Sequence, residues 1–264
     1  MPTVLIVGGT RGLGAQLVKQ YASSDRNRVF ATSRHTAPFK GNPEFPDNVF
    51  WIPNIDVADE EAGFKIASRL SSDTCIDICI ISAGYFGSET FDEPSFDKEL
   101  QMYKTSAIGP VFLVHHLVKA GMFRKRGVGP NPKIILVSSE AGSIALRHGP
   151  NGGGNFGHHA SKAALNMVGK LLSEDLKEKG IAVGLVHPGF MRTDMTKGVG
   201  YDKFWESGGA VYPQVAATSL IEFIETFDLD KTGQFWAPRG AADIGTAEAV
   251  LGSKDLPGPL QLPW

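Results

Sequence analysis

TVLIVGGTRGLG, residues 3–14, is the stretch that decides the fold. It opens with an apolar run rich in valine and isoleucine, which is typical of a buried strand, and passes directly into a glycine-rich loop. Gly8 permits a tight turn, Gly12 lets the backbone approach a pyrophosphate, and Gly14 allows close packing of a helix on the strand. Because an amphipathic helix begins here, its free N–H groups favour bound phosphates. A glycine-rich turn without a ligand is the alternative interpretation.

Apolar runs rich in valine and isoleucine recur along the chain. They lie at 3–7, 28–32, 49–52, 76–81, 133–138 and 181–186. Helical periodicity fills most of the intervals between them, and this alternation predicts a doubly wound parallel sheet with helices on both faces. With a possible last strand at 234–237 the sheet has about seven strands. We therefore expect a single-domain α/β Rossmann fold over residues 1–264.

Two long helices are predicted from apolar residues at three- and four-residue steps. One runs from about Asp97 to Met122, and the other begins near His158 and closes at Gly180. The second carries an apolar stripe that is expected to pack on the sheet or on a partner, formed by Ala160, Ala163, Ala164, Met167, Val168, Leu171, Leu172 and Leu176. Proline and glycine interrupt both periodicities elsewhere and predict surface loops at 37–48, 125–132 and 149–157.

The composition argues against two classes of partner. Charged residues make up 20% and the net charge is −2, so neither nucleic acid nor a membrane surface is expected to bind. The apolar run at the start is too short for a signal peptide and no later run could span a bilayer, which predicts a cytoplasmic protein. Cys75 and Cys79 are expected to be reduced packing residues. No histidine, cysteine or carboxylate spacing predicts a metal site.

The end of the second predicted strand carries a basic residue where an acidic one is usual. About twenty residues past the glycine-rich loop, an NAD-binding protein places a carboxylate that accepts a hydrogen bond from the ribose 2′-hydroxyl. This chain has Ser33 and Arg34 there. A guanidinium suits a 2′-phosphate, and Arg11 in the loop supplies a second positive group. The two arginines favour NADP(H) as the cofactor, with solvated surface arginines as the alternative.

Several motifs resemble the short-chain dehydrogenase/reductase family, and within it the C-factor-like carbonyl reductases, over essentially the whole chain. The matching stretches are Val7–Gly14 (TGxxxGxG), Asp56-Val57 (adenine contact), Ser82-Ala83-Gly84 (NAG, with Ser for Asn), Ser138–Ile144 (SSxxGSI), His187-Pro188-Gly189 with Thr193-Asp194-Met195 (PGxxxTDM) and the ending Leu262-Pro263-Trp264. Together with the two arginines, the resemblance implies cofactor contacts from Gly8, Thr10, Arg11, Gly12, Leu13, Gly14, Ser33, Arg34, Asp56, Val57, Ser82, Ala83, Gly84, Lys162, Pro188, Gly189 and Thr193.

The family's catalytic motif, YxxxK, is only half present. Lys162 is kept, but His158 stands where the family has tyrosine. The four-residue spacing places both side chains on one helical face. By the same resemblance Ser139 orients the substrate, and Ser106, ahead of Gly109-Pro110, occupies the place of a helical asparagine in a proton relay. The expected catalytic residues are therefore Ser106, Ser139, His158 and Lys162.

The histidine changes the acid–base chemistry that the site is expected to perform. The Lys162 cation, the helix N-terminus and burial should all lower the pKa of His158, so a neutral imidazole is expected at pH 7. A neutral ring donates a proton poorly, whereas as a base it suits neutral pH. The substitution therefore favours proton abstraction over protonation of an alkoxide.

Three functions remain open at this stage. The first is NADP(H)-dependent reduction of a carbonyl, or oxidation of an alcohol, with Ser139 polarising the oxygen and His158, or a water relayed through it, delivering the proton. The second is a non-redox isomerisation, dehydration or cyclisation, with His158 as base and Ser139 holding an enolate-like oxygen. The third is a cofactor-binding regulatory protein without turnover.

Residues 190–209 follow the sixth predicted strand, where ligands bind beyond the carboxyl ends of a parallel sheet. We interpret this segment as a substrate lid, whose apolar side chains are Met191, Met195, Tyr201, Phe204 and Trp205; simple packing of a loop is the alternative. The substrate is accordingly expected to be small and apolar or aromatic. The family resemblance also suggests a homodimer formed through the helices at 97–122 and 158–179.

Overall fold

The structure is a computed structural model that describes residues 1–36, 44–147 and 152–264. Eight strands form one sheet in the order β3-β2-β1-β4-β5-β6-β7-β8. They are β1 (Thr3–Val7), β2 (Arg28–Thr32), β3 (Val49–Ile52), β4 (Ile78–Ile81), β5 (Lys133–Val137), β6 (Ala182–Val186), β7 (Phe235–Ala237) and β8 (Leu260–Gln261). The first seven strands pair in parallel, and β8 pairs antiparallel with β7.

The predicted α/β Rossmann fold is confirmed, with one strand more than expected. A strand of two residues such as β8 has no readable alternation, which is why the pattern did not reveal it. Two apolar cores lie on opposite faces of the sheet. One includes side chains of the helices Gly12–Ala22 and Pro213–Thr226, and the other includes side chains of the helices Ala62–Ala67, Gly109–Lys119 and Phe156–Lys177. The helices are α1 (Gly12–Ala22), α2 (Ala62–Ala67), α3 (Phe96–Tyr103), α4 (Gly109–Lys119), α5 (Phe156–Lys177), α6 (Asp194–Gly198), α7 (Pro213–Thr226) and α8 (Ala247–Leu251).

The predicted helix from Asp97 to Met122 is interrupted. A π-helical turn at Lys104–Ile108 separates α3 from α4, and α4 ends at Lys119. Pro110 accounts for the interruption, because it has no N–H to donate to the carbonyl of Ser106 and its ring crowds that carbonyl. Single π turns of this kind are frequent at functional sites.

The apolar stripe of α5 was expected to pack on the sheet or on a partner, and its middle part faces away from the sheet. Met167 is 60% exposed and Leu171 is 57% exposed, so these side chains do not pack on the sheet. The sheet instead meets small residues of α5, and a Cβ on Gly169 would lie only 2.6 Å from a methyl of Leu185. Close approach thus requires a small residue at Gly169 and leaves Met167 and Leu171 outside, whereas Leu176 at the end of the stripe is buried.

The two cysteines differ in burial, and the predicted loops are described in part. Both cysteines are free, but only Cys79 is buried, whereas Cys75 is exposed and does not act as a packing residue. Residues 125–132 form no helix or strand, as predicted. Residues 37–43 and 148–151, which include parts of two predicted loops, lie outside the described residues.

Candidate functional site

A cavity of about 1270 Å³ opens at the carboxyl ends of the strands. The loops after β1, β2, β4, β5 and β6 contribute its walls, as a doubly wound sheet requires. The structure brings to this cavity most of the site residues expected from the sequence, namely Gly8, Thr10, Arg11, Gly12, Leu13, Gly14, Arg34, Asp56, Val57, Ser82, Ala83, Gly84, Ser139, His158, Lys162, Pro188, Gly189 and Thr193. Ser33 and Ser106 are not among the lining residues.

The glycine-rich loop has different constraints at each of its glycines. A Cβ on Gly8 would lie 2.8 Å from the Ala83 backbone, and one on Gly14 would collide with the Gly8 carbonyl oxygen. Gly12 adopts a φ of 54°, yet in the part of the chain that the structure describes the only atom near its missing Cβ is a methyl of Thr193 at 3.7 Å. The backbone at Gly12 is therefore open towards the cavity. Among the described residues no side chain caps the N-terminus of α1, which leaves its first N–H groups available to an anion.

Arg11 and Arg34 both lie exposed on the cavity wall. Within the described ranges no ion pair joins either guanidinium to a carboxylate. Ser33, by contrast, is 2% exposed, and its hydroxyl accepts a hydrogen bond from the His35 amide at 3.0 Å. Ser33 thus shapes the end of β2, whereas Arg34 lies on the cavity wall.

Ser139 and Lys162 are held by backbone contacts around the end of β5. Ser139 precedes a short helical turn at Glu140–Gly142, and its hydroxyl accepts from the Ala141 amide at 3.2 Å. The Lys162 ammonium donates to the Val137 carbonyl at 2.8 Å. Burial lowers the pKa of Lys162 to about 8. The lysine is accordingly protonated at neutral pH but close to its titration.

His158 lies in the first turn of α5, on the cavity wall. Its imidazole stacks on the Phe86 ring with the ring centroids 4.0 Å apart. Burial, followed by the charges of Lys162, His159 and Arg147, lowers the pKa of His158 to about 3. The Nδ1 atom is buried and has no hydrogen-bond partner in the part of the chain that the structure describes. The ring is therefore neutral at pH 7.

Ser106 is placed differently from the other three expected catalytic residues. It sits in the π turn, 2% exposed, and its hydroxyl has no partner among the described residues. The π turn rotates the neighbouring Thr105, not Ser106, onto the cavity wall. The sequence motif could not reveal this shift, because it depends on one extra residue in a helical turn.

The segment between β7 and β8 supplies residues that the sequence analysis missed. Asp243 lines the cavity and accepts a hydrogen bond from the Phe190 amide. His187 faces this carboxylate, with 3.7 Å between Nε2 and Oδ2, and its Nδ1 accepts from the Glu140 amide at 3.1 Å. One acidic residue in a run without periodicity was the only sequence signal. These contacts join the loops after β5, β6 and β7.

The apolar wall of the cavity comes largely from residues 190–209. Four of the five side chains expected in the lid line the cavity, namely Met191, Met195, Tyr201 and Phe204. Trp205 is not among them, because its indole N–H donates to the Thr196 hydroxyl at 3.2 Å. Phe86, after β4, completes this aromatic wall and was not predicted. Any motion of the segment as a lid stays a prediction.

No group of three or more histidine, cysteine or carboxylate side chains within residues 1–36, 44–147 and 152–264 is arranged to hold a metal ion. In the same ranges, none of the helices combines the length and the apolar character needed to cross a bilayer.

Comparison with known proteins gives the family. The short chain dehydrogenase family model matches residues 2–203. A curated relative, 1-hydroxy-2-glutathionyl-2-methyl-3-butene dehydrogenase of a Rhodococcus species, is 27% identical, with 89% of this chain and 96% of the relative covered.

Two solved structures share the fold. NADPH-bound carbonyl reductase from chicken fatty liver has a TM-score of 0.76 at 22% identity, covering 90% of this chain and 92% of that one. A short-chain dehydrogenase/reductase from Burkholderia multivorans with bound NADP has a TM-score of 0.69 at 25% identity, covering 90% and 97%. Because the family model spans more than half of its length, this chain belongs to the short chain dehydrogenase family of oxidoreductases.

Proposed function

We propose that this chain is an NADP(H)-dependent oxidoreductase that interconverts a carbonyl and an alcohol on a small, apolar or aromatic molecule. One observation carries the proposal: a single cavity joins the glycine-rich loop and its arginines to Ser139, His158 and Lys162. A phosphorylated dinucleotide and a substrate oxygen can therefore be held side by side.

The residues present fit NADP(H). The uncapped N-terminus of α1 and the open backbone at Gly12 suit the pyrophosphate, and Arg11 and Arg34 suit a 2′-phosphate. The Burkholderia relative with bound NADP gives further support. When bound, the reduced nicotinamide supplies a hydride to a carbonyl carbon.

The residues around the reacting carbonyl have separable roles in this proposal. The Ser139 hydroxyl donates a hydrogen bond to the substrate oxygen and so stabilises the negative charge that develops there. The Lys162 ammonium holds the ribose, as the family resemblance implies, and adds a positive charge beneath the site. His158 contributes a neutral, stacked ring.

The cavity wall supports the proposed substrate class. Phe86, Phe190, Tyr201 and Phe204 place aromatic rings around the same space as Ser139. Such walls bury apolar rings at a gain of about 25 cal/mol per Å² of apolar surface. Small, highly charged compounds gain nothing from them, and their binding as the sole productive substrates contradicts this part of the proposal.

The non-redox alternative is weakened by the same histidine that suggested it. Sequence reasoning assigned His158 the role of a base at neutral pH. A pKa of about 3 leaves the imidazole too weakly basic to remove a proton at that pH. Reduction therefore remains the better supported reaction, provided that a different group supplies the proton.

Loss of nicotinamide absorbance with a panel of carbonyl compounds tests this function. We expect NADPH consumption with at least one aromatic or aliphatic ketone or aldehyde, and a loss of about 100-fold or more in kcat for Ser139→Ala. Binding of NADPH without consumption by any compound would instead indicate the non-redox or regulatory function.

The proposal includes a homodimer and a cytoplasmic location. Helices α3 to α5 expose large apolar side chains, namely Phe96, Leu100, Ile108, Val111, Phe112, Met167 and Leu171. Exposed apolar surface on this scale marks an interaction site in soluble proteins. A second copy of the chain, packed through these helices, is the partner that the family resemblance favours.

A further inference from the structure

We propose that Tyr201 is the proton donor of this site, and that its phenol protonates the substrate oxygen as the carbonyl is reduced. The inference rests on the proposed function. It addresses a gap that the structure makes plain, since His158 stands where the family has its tyrosine and is neutral at pH 7. A neutral imidazole is a poor proton donor, so the site needs another acid.

Elimination among the hydroxyl groups leaves few candidates. A phenol is a far stronger acid than a serine or threonine hydroxyl, and its unperturbed pKa is about 10. All five tyrosines of the chain lie in its described part: Tyr21, Tyr85, Tyr103, Tyr201 and Tyr212. Only Tyr85 and Tyr201 line the cavity.

The hydroxyl of Tyr85 is directed towards α3. It would lie 3.0 Å from a Cβ built on Gly87, a position that also adjoins the aliphatic part of Lys98. Lys98 belongs to the exposed side of α3 and does not line the cavity. Tyr201 is the remaining phenol.

The ring of Phe86 lies between Tyr201 and His158, which occupies the expected catalytic position. Its ring meets the Phe86 ring edge-on, with centroids 5.7 Å apart, and Phe86 in turn stacks on His158 at 4.0 Å. The ring of Phe204 also meets the Tyr201 ring edge-on, with centroids 6.0 Å apart. The phenol is thus fixed on the aromatic wall that faces the substrate.

A hydrogen bond from Asn155 leaves the phenol free to donate. The Asn155 side-chain amide donates to the Tyr201 oxygen at 2.8 Å, so the Tyr201 O–H is not used in that bond. As the proton leaves, this donated bond stabilises the oxygen that becomes negative. Asn155 therefore stabilises the phenolate that forms when Tyr201 gives up its proton.

Asn155 is itself tied to the start of the helix that carries His158. The backbone N–H of Asn155 donates to the Glu89 backbone carbonyl at 3.0 Å, and its side-chain oxygen accepts from the Glu89 backbone N–H at 3.4 Å. The buried Glu89 carboxylate accepts from the Gly157 amide at 2.6 Å. Tyr201, on the lid segment, is consequently positioned relative to α5.

Burial keeps the Tyr201 phenol protonated. Burial, and more weakly the Glu140 carboxylate, raise the pKa of Tyr201, while the Asn155 hydrogen bond and Arg147 oppose them. The net direction is upward, so Tyr201 is a neutral acid throughout the neutral range. A proton donor has to be in this form before each reaction cycle.

The reduced nicotinamide, when bound, would supply the hydride from one of its own C–H bonds and would be left oxidised. As the new C–H bond forms at the carbonyl carbon, the π electron pair moves onto the oxygen. The Tyr201 O–H bond breaks, the oxygen of the substrate gains that proton, and an alcohol results. The Tyr201 phenolate then recovers a proton from water.

Tyr201→Phe tests the inference, with Tyr212→Phe as the matched control. Tyr212 is 61% exposed and lies off the cavity, so removal of its hydroxyl leaves kcat unchanged. For Tyr201→Phe we expect kcat to fall by about 100-fold or more, while the dissociation constant for NADPH, measured by calorimetry, stays unchanged. Addition of His158→Tyr to Tyr201→Phe should restore activity, because the phenol returns to the family's position.

A titration gives a second readout that does not depend on turnover. The phenolate absorbance of Tyr201 is obtained as the difference between the unaltered chain and Tyr201→Phe. Asn155→Ala removes a hydrogen bond to the phenolate and should raise the pKa of Tyr201 further. An unchanged titration in Asn155→Ala contradicts the stabilising role of Asn155 and, with it, the inference.

Failure of the inference and failure of the proposed function are distinguishable. Equal kcat values for Tyr201→Phe and the unaltered chain overturn the role of Tyr201 while carbonyl reduction stands. No NADPH consumption by the unaltered chain overturns the proposed function and the donor role together.

Discussion

The His158 imidazole lies against the Phe86 ring with 21° between the ring planes. The stack covers one face of the imidazole, and burial is the largest cause of the lowered pKa of His158. The residue at the family's tyrosine position has therefore become part of an aromatic wall. Because this ring is packed and neutral, it contributes to the wall that binds a substrate but does not supply the proton.

The buried histidine should make folding stability sensitive to acid. Below its ordinary pKa of about 6.5 the unfolded chain binds a proton at His158, whereas the folded chain resists protonation until about pH 3. The free energy of unfolding should therefore fall as the pH drops from 6.5 towards 3, by up to about 1.4 kcal/mol per pH unit from this group.

Urea unfolding at several pH values between about 4 and 7 measures this fall in the free energy of unfolding. His158→Phe keeps a stacking ring without a titrating group, and we expect a shallower pH dependence for it than for the unaltered chain. His115→Phe, on an exposed position of α4, serves as the control. Equal slopes for His158→Phe and the unaltered chain contradict the assignment.

The titration of Lys162 should appear in cofactor binding. Burial lowers the pKa of Lys162 to about 8, so the ammonium that holds the ribose is lost as the pH rises through that value. NADPH affinity is expected to weaken above about pH 8, and binding there should take up protons. Calorimetry in two buffers of different ionisation enthalpy detects both effects.

Three substitutions isolate that lysine. Lys162→Arg, which stays charged, should flatten the pH dependence, and Lys162→Met should bind NADPH weakly at every pH. Lys170→Met, on the exposed side of the same helix, should behave like the unaltered chain. A pH dependence that survives in Lys162→Met points to a different titrating group.

Arg11 and Arg34 should determine the preference for the phosphorylated cofactor. Charge-assisted hydrogen bonds contribute about 1.5–3 kcal/mol, so Arg11→Ala or Arg34→Ala should weaken NADPH binding about 10- to 100-fold. NADH binding should change little, because NADH has no 2′-phosphate. Arg26→Ala, an exposed arginine outside the cavity, is the control. Comparable losses for NADH and NADPH refute the assignment.

The exposed stripe of α5 should control the oligomeric state. Met167→Glu and Leu171→Glu place charges on an apolar surface that a second copy is expected to bury, and should shift the chain to monomer. Val250→Glu, a partly exposed apolar residue on α8, should not. Light scattering after gel filtration measures the mass, and a monomeric unaltered chain rejects the dimer.

The sequence predicted those parts of the molecule that depend on local spacing. The strand, glycine loop and helix at residues 3–22 follow from adjacent residues, and the pairing of His158 with Lys162 follows from one helical turn. Each of these features is decided by neighbours in the chain. Their placement at the carboxyl ends of the strands then follows from the parallel topology.

Features that depend on distant contacts were not predictable. Ser106 lies behind the cavity wall because a π turn at Lys104–Ile108 shifts the helix by part of a turn. Asp243 reaches the site through the segment between β7 and β8, which has no periodicity. The outward orientation of Met167 and Leu171 was also not predictable, since Gly169, rather than an apolar residue of the stripe, permits the close approach of α5 to β6.

Isotope transfer tests most directly whether this chain moves a hydride from NADPH to a carbonyl carbon. NADPH carrying deuterium at its transferable C4 position is incubated with the purified chain and a panel of aromatic and aliphatic carbonyl compounds. Mass spectrometry then determines the deuterium content of the alcohol products. We expect an alcohol that contains one deuterium on the former carbonyl carbon. Binding of NADPH without the appearance of any deuterated alcohol would contradict it.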